Sequence, residues 1–198
     1  MGERTAPDGR PMIQPGSRSA LRGWLAEHHA TSTGVWLANH KKGSGKPRLE
    51  YAEIVEEALC FGWIDSKPNP LDDERSLLWI SPRKPRSGWS RINKERVAKL
   101  ERDGLMTDAG RAAVAEGQRN GAWSALDAVE RLEVPDDLAT ALRASPDAAR
   151  HFDAFPPSSK KIILTWIASA KRPETRERRI AETVDLAARN IRANHYRQ

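Results

Sequence analysis

The chain has 198 residues, of which 38% are hydrophobic and 30% are charged. This composition excludes an intrinsically disordered chain, and the length is sufficient to bury a core without a metal or a disulfide. The single cysteine excludes an intramolecular disulfide framework and any site that needs several cysteine ligands. The net charge of +6 favours anionic partners, although a basic surface is more often simply solvated.

The N-terminal residues 1–16 are rich in proline and glycine and lack the apolar core of a secretory signal. We predict a disordered leader there. No stretch of the chain approaches the roughly 20 consecutive apolar residues of a membrane-spanning helix. We therefore expect a cytoplasmic protein without a membrane span.

Residues 17–132 combine helix and strand patterns, and we predict that they form one domain. The apolar spacing predicts, in chain order, a helix at 17–29, a strand at 34–42, a helix at 51–62 and a strand at 75–83. The second helix ends at Gly62, and residues 68–74 have the composition of a turn. We expect this helix to pack its apolar stripe on a small antiparallel sheet.

From Ser90 onward the patterns are almost all helical. They predict helices at 90–104, 107–121, 124–132, 135–144, 145–155 and 158–171, and a last one that begins at Pro173. We place a boundary at 132/133, so that residues 133–198 form a C-terminal helical region in which Trp166 is buried. The predicted fold class is α+β, with a small antiparallel sheet and packed helices followed by a helical array.

The stretch CFGWIDS (60–66) places Trp63 and Asp65 where a helix leaves the sheet, a position suited to recognition residues. His40 ends the first predicted strand, from which it faces the same cleft. A local alternative is that Asp65 and Ser66 only cap the following turn.

The stretch SPRKPRSGW (81–89) has a stiff backbone because of its two prolines, and it displays Arg83 with little conformational freedom to lose. A guanidinium suits a carboxylate or phosphate, and Trp89 is suited to stack on a flat group. The next helix begins near Ser87 or Ser90, where free N–H groups would add affinity for an anion. Alternatively, these charges only keep an exposed strand end hydrated.

Other residue types give little support for catalysis or metal binding. Cys60 follows apolar residues in a helix, which indicates a small buried hydrophobe rather than a nucleophile. No spacing of His, Asp or Glu resembles a metal site, and GSGKP (43–47) is too short for a phosphate-binding loop. We therefore predict no cofactor and no metal.

Several motifs in this order resemble the bacterial YdeI/OmpD-associated (bacteriocin-protection) family. They are LEYAEIVEEALCFGWIDS, SPRKPRSGWSRINKERVAKLERDGLMTDAGRAAV, NGAW and AKRPETRERRI. The resemblance implies a role in protecting the cell envelope against bacteriocins or antimicrobial peptides, through an outer-membrane protein partner. The motif positions that carry over are Cys60, Gly62, Trp63, Asp65, Pro82, Arg83, Pro85, Trp89, Ser90 and Asn93.

These observations predict a pocket, lined by Trp63, Asp65, Arg83 and Trp89, that binds a small anionic or planar aromatic ligand in a stress or antimicrobial-resistance role. In an enzyme, Asp65 would be the general acid or base and Arg83 the electrostatic stabiliser, and we leave that question open. One alternative is a nucleic-acid binder that uses the basic segments 83–102 and 172–179. Another is an interaction module for a protein partner.

Overall fold

The computed structural model describes residues 4–195. The chain divides into two compact units, of which the first ends at Ser124 and the second begins at Ala125. The predicted boundary at 132/133 lies later in the chain than this division. The difference arises because residues 125–132 belong to the second unit: Val129 is buried in its core, and Glu130 accepts a hydrogen bond from Lys161.

Within the described residues, the first unit contains a five-stranded sheet and four helices. The strands are β1 (Arg4–Thr5), β2 (Pro11–Ile13), β3 (Val35–His40), β4 (Trp63–Pro70) and β5 (Arg75–Pro82). The helices are α1 (Arg18–His28), α2 (Tyr51–Cys60), α3 (Arg91–Arg102) and α4 (Asp108–Arg119). The predicted α+β class is confirmed.

The strand order is β1-β2-β3-β5-β4. The two strands that the sequence predicts, β3 and β5, are antiparallel neighbours at the centre of the sheet, with Leu37 opposite Leu78. The sheet is mixed rather than wholly antiparallel, since β2 runs parallel to β3. A parallel pair depends on a partner distant in sequence, so local periodicity does not indicate it.

The N-terminal segment differs from the predicted disordered leader, because residues 4–5 and 11–13 form strands. Ile13 is fully buried in the main core, and Met12 is buried on the opposite face of the sheet. Asp8 accepts a hydrogen bond of 2.9 Å from Nε1 of Trp36. Strands of two and three residues are too short to give a recognisable alternation, which explains why proline and glycine dominated the prediction.

β4 occupies part of the chain that was expected to be a helix exit and a turn. It pairs with β5 from Trp63 to Pro70, with an irregularity in register between Asp65 and Pro68. Proline lacks an N–H and is normally excluded from strands, but β4 lies at the edge of the sheet, where one side needs no partner. The turn is therefore shorter than predicted and covers residues 71–74.

Helix α2 packs on the sheet as predicted. Its residues Ile54, Val55 and Ala58 share one core with Leu37 of β3 and Ile80 of β5. Gly62 ends the helical segment with a φ of 72°, a left-handed conformation that glycine adopts at little cost. This turn leads the chain directly from α2 into β4, which places the first turn of α2 opposite Asp65.

The second unit is helical throughout its described part, as expected for the helical region. Its helices are α5 (Asp127–Glu130), α6 (Asp136–Arg143), α7 (Pro146–Ala154), α8 (Pro157–Ala168) and α9 (Pro173–Ala188). Their shared core includes Leu138, Phe152 and Ile163. Trp166 is only partly buried against this core, and the Arg179 guanidinium lies 5.1 Å from its ring centroid. The prediction that Trp166 is buried was therefore too strong.

Candidate functional site

A cavity of about 490 Å³ lies in the first unit, beside the first turn of α2. We call it the α2 cavity. Its apolar surface comes from Ile54, Pro68 and Leu78, which belong to α2, β4 and β5. The loop after β3 contributes its basic side chains, Lys41, Lys42 and Arg48, and His40 at the end of β3 borders the cavity. The cavity thus combines an apolar wall with a concentration of positive charge.

The cationic side chains of the α2 cavity differ in how far they are already engaged. Lys41 donates hydrogen bonds of 2.9 and 3.1 Å to two main-chain carbonyls in the turn between β4 and β5. Arg48 lies 3.2 Å from a carboxylate oxygen of Glu50, whose side chain is 69% exposed. Lys42 has no partner among the described residues. Exposed ion pairs are weak, so Arg48 and Lys42 remain available to an incoming anion.

His40 is held by a hydrogen-bond chain that also includes Gln14 and Arg75. The guanidinium of Arg75 donates to Oε1 of Gln14 at 2.9 Å, which directs the Gln14 amide nitrogen towards Nε2 of His40 at 3.0 Å. The other ring nitrogen, Nδ1, is buried without a partner in the described residues. Because side chains alternate along a strand, His40 projects from the sheet face of Ala38, which is opposite the face that packs against α2.

Asp65 provides the carboxylate of the α2 cavity. The hydroxyl of Tyr51 donates a 2.7 Å hydrogen bond to Oδ2 of Asp65. Partial burial, followed by this hydrogen bond, raises the pKa of Tyr51 from 10.0 to about 12. Tyr51 therefore stays protonated at any physiological pH and keeps Asp65 fixed at the cavity wall. Ser66, the next residue, also lines the cavity.

Two of the predicted site residues, His40 and Asp65, border the same cavity, although their side chains project from opposite faces of the sheet. The other members of the predicted pocket lie elsewhere. Trp63 is only 1% exposed and packs edge to face with Trp24, at a centroid distance of 5.9 Å. Its Nε1 donates to the carbonyl of His29. Trp63 is consequently a core residue, because the first residue of β4 faces α1.

Arg83 and Trp89 form an internal clamp instead of a pocket wall. The Arg83 guanidinium carbon lies 3.7 Å from the ring centroid of Trp89, which is 1% exposed. Arg83 Nη2 donates to the carbonyl of Gly88 at 2.6 Å, and its main-chain N–H donates to the carbonyl of Gly62. Burial lowers the pKa of Arg83 to about 10, while the charge of Asp65 opposes that shift. The predicted pocket shared by both tryptophans and Arg83 is therefore not formed.

Ser90 and Asn93 have local roles at the start of α3. Ser90 is the N-cap residue, and its hydroxyl accepts from the main-chain N–H of Asn93 at 3.4 Å. Oδ1 of Asn93 accepts from Arg96 in the next turn of the helix. Since Trp89 is buried, it offers no free face on which a nucleic-acid base could stack.

Cys60 is fully buried, and its burial raises the pKa of the thiol. This environment is that of an inert structural cysteine. Among residues 4–195 no group of three or more His, Cys, Asp or Glu side chains is placed to hold a metal ion.

Three residues that shape the α2 cavity were not singled out from the sequence: Lys42, Arg48 and Tyr51. The first two lie in HKKGSGKPR (40–48), a loop whose charges resemble those of any solvated loop. Tyr51 stands at the first position of α2, where an aromatic residue is typical of a buried face, yet it is 54% exposed. The role of these three residues becomes visible only in the structure, where the loop and β4 line the same cavity.

Two family models match the chain, each over a different part. Residues 13–113, just over half of the chain, match the model described as Domain of unknown function (DUF8412). The chain belongs to this family. Its matched region contains both β3 and β5 and all the residues of the α2 cavity named above.

The second model is described as Bacteriocin-protection, YdeI or OmpD-Associated, and it matches residues 131–190. This match confirms the family that the motifs suggested. It covers the closing motif AKRPETRERRI, whereas the motifs around Trp63 and Arg83 lie in the region matched by the first model. No curated protein and no solved structure matches the chain. Within the described residues, none of the helices has the length and apolar character needed to cross a membrane.

Proposed function

We propose that this protein binds a small organic anion in the α2 cavity. The observation that carries the proposal is the clustering of Lys41, Lys42 and Arg48 around one end of a cavity that also has an apolar wall formed by Ile54, Pro68 and Leu78. A volume of about 490 Å³ lies within the usual range for small-molecule sites, and a few polar groups on an apolar surface are typical of them.

The charges support an anionic ligand more strongly than a neutral one. Lys42 lacks a partner in the described residues, and the carboxylate that pairs with Arg48 belongs to the exposed Glu50. A ligand carboxylate or phosphate placed between Lys42 and Arg48 would gain charge-assisted hydrogen bonds in a partly enclosed space. The body of the ligand would then lie against Pro68 and Leu78. Trp63 and Trp89 are buried, so neither indole ring would contact the ligand.

Thermal denaturation with a panel of small anions tests this function. Suitable probes are benzoate, glutarate and inorganic phosphate, each compared with a neutral analogue or with chloride at equal ionic strength. A ligand at 100 times its dissociation constant stabilises the folded state by about 2.7 kcal/mol, which corresponds to roughly 5 to 10 °C in this size range. We expect such a shift with at least one organic anion.

Matched variants locate the binding site. Lys42→Ala and Arg48→Ala should each weaken binding about tenfold, because each removes one charged donor. Lys84→Ala is the control, since Lys84 is an equally exposed lysine in the 83–86 segment and does not line the α2 cavity. The proposal fails if no organic anion binds, or if Lys84→Ala weakens binding as much as Lys42→Ala does.

We further propose that the cytoplasm is the site of action and that the role is protective. The description of the family matched by residues 131–190, which names bacteriocin protection, supports this role. Expression of the wild-type chain in a bacteriocin-sensitive bacterial host should increase survival, and the Lys42→Ala variant should not. Equal survival with both variants would separate the protective role from the α2 cavity.

A further inference from the structure

Asp65 lies at the end of the α2 cavity opposite the cations. The register of the sheet places Asp65 beside Ile80 of β5, whereas His40 is beside Arg75 on the other side of the same strand. Five positions along a strand correspond to roughly 16 to 17 Å between these backbone levels. The cavity is therefore electrically polarised along the strands, with a carboxylate at one end and the lysines and Arg48 at the other.

The second oxygen of the Asp65 carboxylate indicates which kind of ligand group would bind beside it. Oδ2 accepts the Tyr51 hydroxyl, and Oδ1 has no hydrogen-bond partner in the described residues. An ionised carboxylate is an acceptor only, so it favours a donor and disfavours a second anion. Arg83 already offsets part of its charge from the core side, so an uncharged hydroxyl is sufficient and an ammonium adds further attraction.

Resting on the proposed function, we propose that the ligand is bifunctional. One end is the anionic group held between Lys42 and Arg48, and the other end is a hydroxyl or ammonium that donates to Oδ1 of Asp65. The two ends are joined by an unbranched apolar segment that lies along Pro68 and Leu78, which are directly paired on neighbouring strands. An ω-hydroxy acid or an ω-amino acid has this chemistry, whereas a dicarboxylate has the wrong charge at the Asp65 end.

Calorimetric titration of the full chain with three matched series tests this inference. The probes are unbranched ω-hydroxy acids, ω-amino acids and dicarboxylates of equal chain length. We expect at least one hydroxy or amino acid to bind about tenfold more tightly than the dicarboxylate of the same length. The comparison of the first two series shows whether the donor is a hydroxyl or an ammonium.

Two variants assign the preference to Asp65. Asp65→Asn retains an oxygen that accepts from Tyr51 but removes the negative charge, so the tenfold preference over dicarboxylates should disappear. Tyr51→Phe leaves the carboxylate charge in place and should retain the preference. Dicarboxylates that bind the wild-type chain as tightly as the other series overturn this inference and leave the proposed anion site intact. A lack of binding by all three series also overturns this inference, and the proposed function falls with it only if benzoate fails to bind as well.

Discussion

Replacement of Gly110 by alanine tests how α4 is held against α2. A Cβ atom at Gly110 would lie 2.3 Å from the main-chain oxygen of Cys60, at the end of α2. That oxygen also accepts from the main-chain N–H and the hydroxyl of Thr107, the N-cap residue of α4. The clash is thus with a backbone atom that is fixed by two hydrogen bonds, so the helices must separate to relieve it.

The expected magnitude follows from two opposing terms. Alanine in place of glycine within a helix stabilises by about 1 kcal/mol, because it restricts the unfolded chain. Overpacking costs about 1 to 3 kcal/mol, and the rigid carbonyl of Cys60 indicates the upper end of that range. We therefore expect Gly110→Ala to lower the free energy of unfolding of the first unit by about 2 kcal/mol.

Gly23→Ala is the matched control, because Gly23 lies within α1 and nothing surrounds its added Cβ within 4 Å. This variant should gain about 1 kcal/mol, so the two alanine variants differ by about 3 kcal/mol. Urea denaturation followed by tryptophan fluorescence measures the difference, which amounts to roughly 1.5 M in midpoint at a typical slope. Equal midpoints for the two variants would refute the close approach of α4 to α2.

Three further predictions concern buried or perturbed ionisable groups. Glu57 is 2% exposed and accepts hydrogen bonds from two arginines of α1. Glu57→Gln should therefore lower the free energy of unfolding by about 2 to 3 kcal/mol in urea denaturation. The control Glu27→Gln, whose side chain is 78% exposed, should change it by less than about 0.5 kcal/mol. Tyr51 has a raised pKa, so its contribution to stability is complete below pH 10 and is lost as the pH rises towards about 12. Ultraviolet difference titration of the wild-type chain against Tyr51→Phe should show this late ionisation. Asp65→Asn should move the ionisation to lower pH, because it removes the negative charge beside the phenol. Cys60 should react with a thiol reagent at pH 8 only after unfolding, since burial raises its pKa; rapid reaction of the native chain would contradict its placement in the core.

The sequence identified the central elements because their signals are local. The apolar stripe of α2, the alternation in β3 and β5 and the caps of α3 and α4 each depend on residues within a few positions. Thr107 illustrates this point: threonine is a preferred N-cap residue at the start of the predicted helix 107–121, and its hydroxyl accepts from the N–H of Gly110. The short strands β1 and β2 carry no such signal, since their pairing depends on β3.

The candidate site was harder to predict because a side chain's direction depends on tertiary packing. The sequence around Trp63 and Arg83 is compatible both with ligand binding and with a role in the core, so it does not distinguish between them. The structure uses Arg83 to connect the exit of α2, through Gly62, with the loop before α3. Lys42 and Arg48 lack any sequence signal of their own, and their importance arises only from the carboxylate and apolar wall opposite them.

The prolines of β4 have a consequence for how copies of this chain can associate. A strand that docks on a sheet needs a row of free N–H groups, and Pro68 and Pro70 supply none at this border. At the opposite border of the described sheet, β1 pairs over only two residues. Both borders therefore resist growth of the sheet by strand addition. We expect concentrated solutions to remain free of β-type aggregates, so that self-association proceeds through side-chain surfaces of the helices.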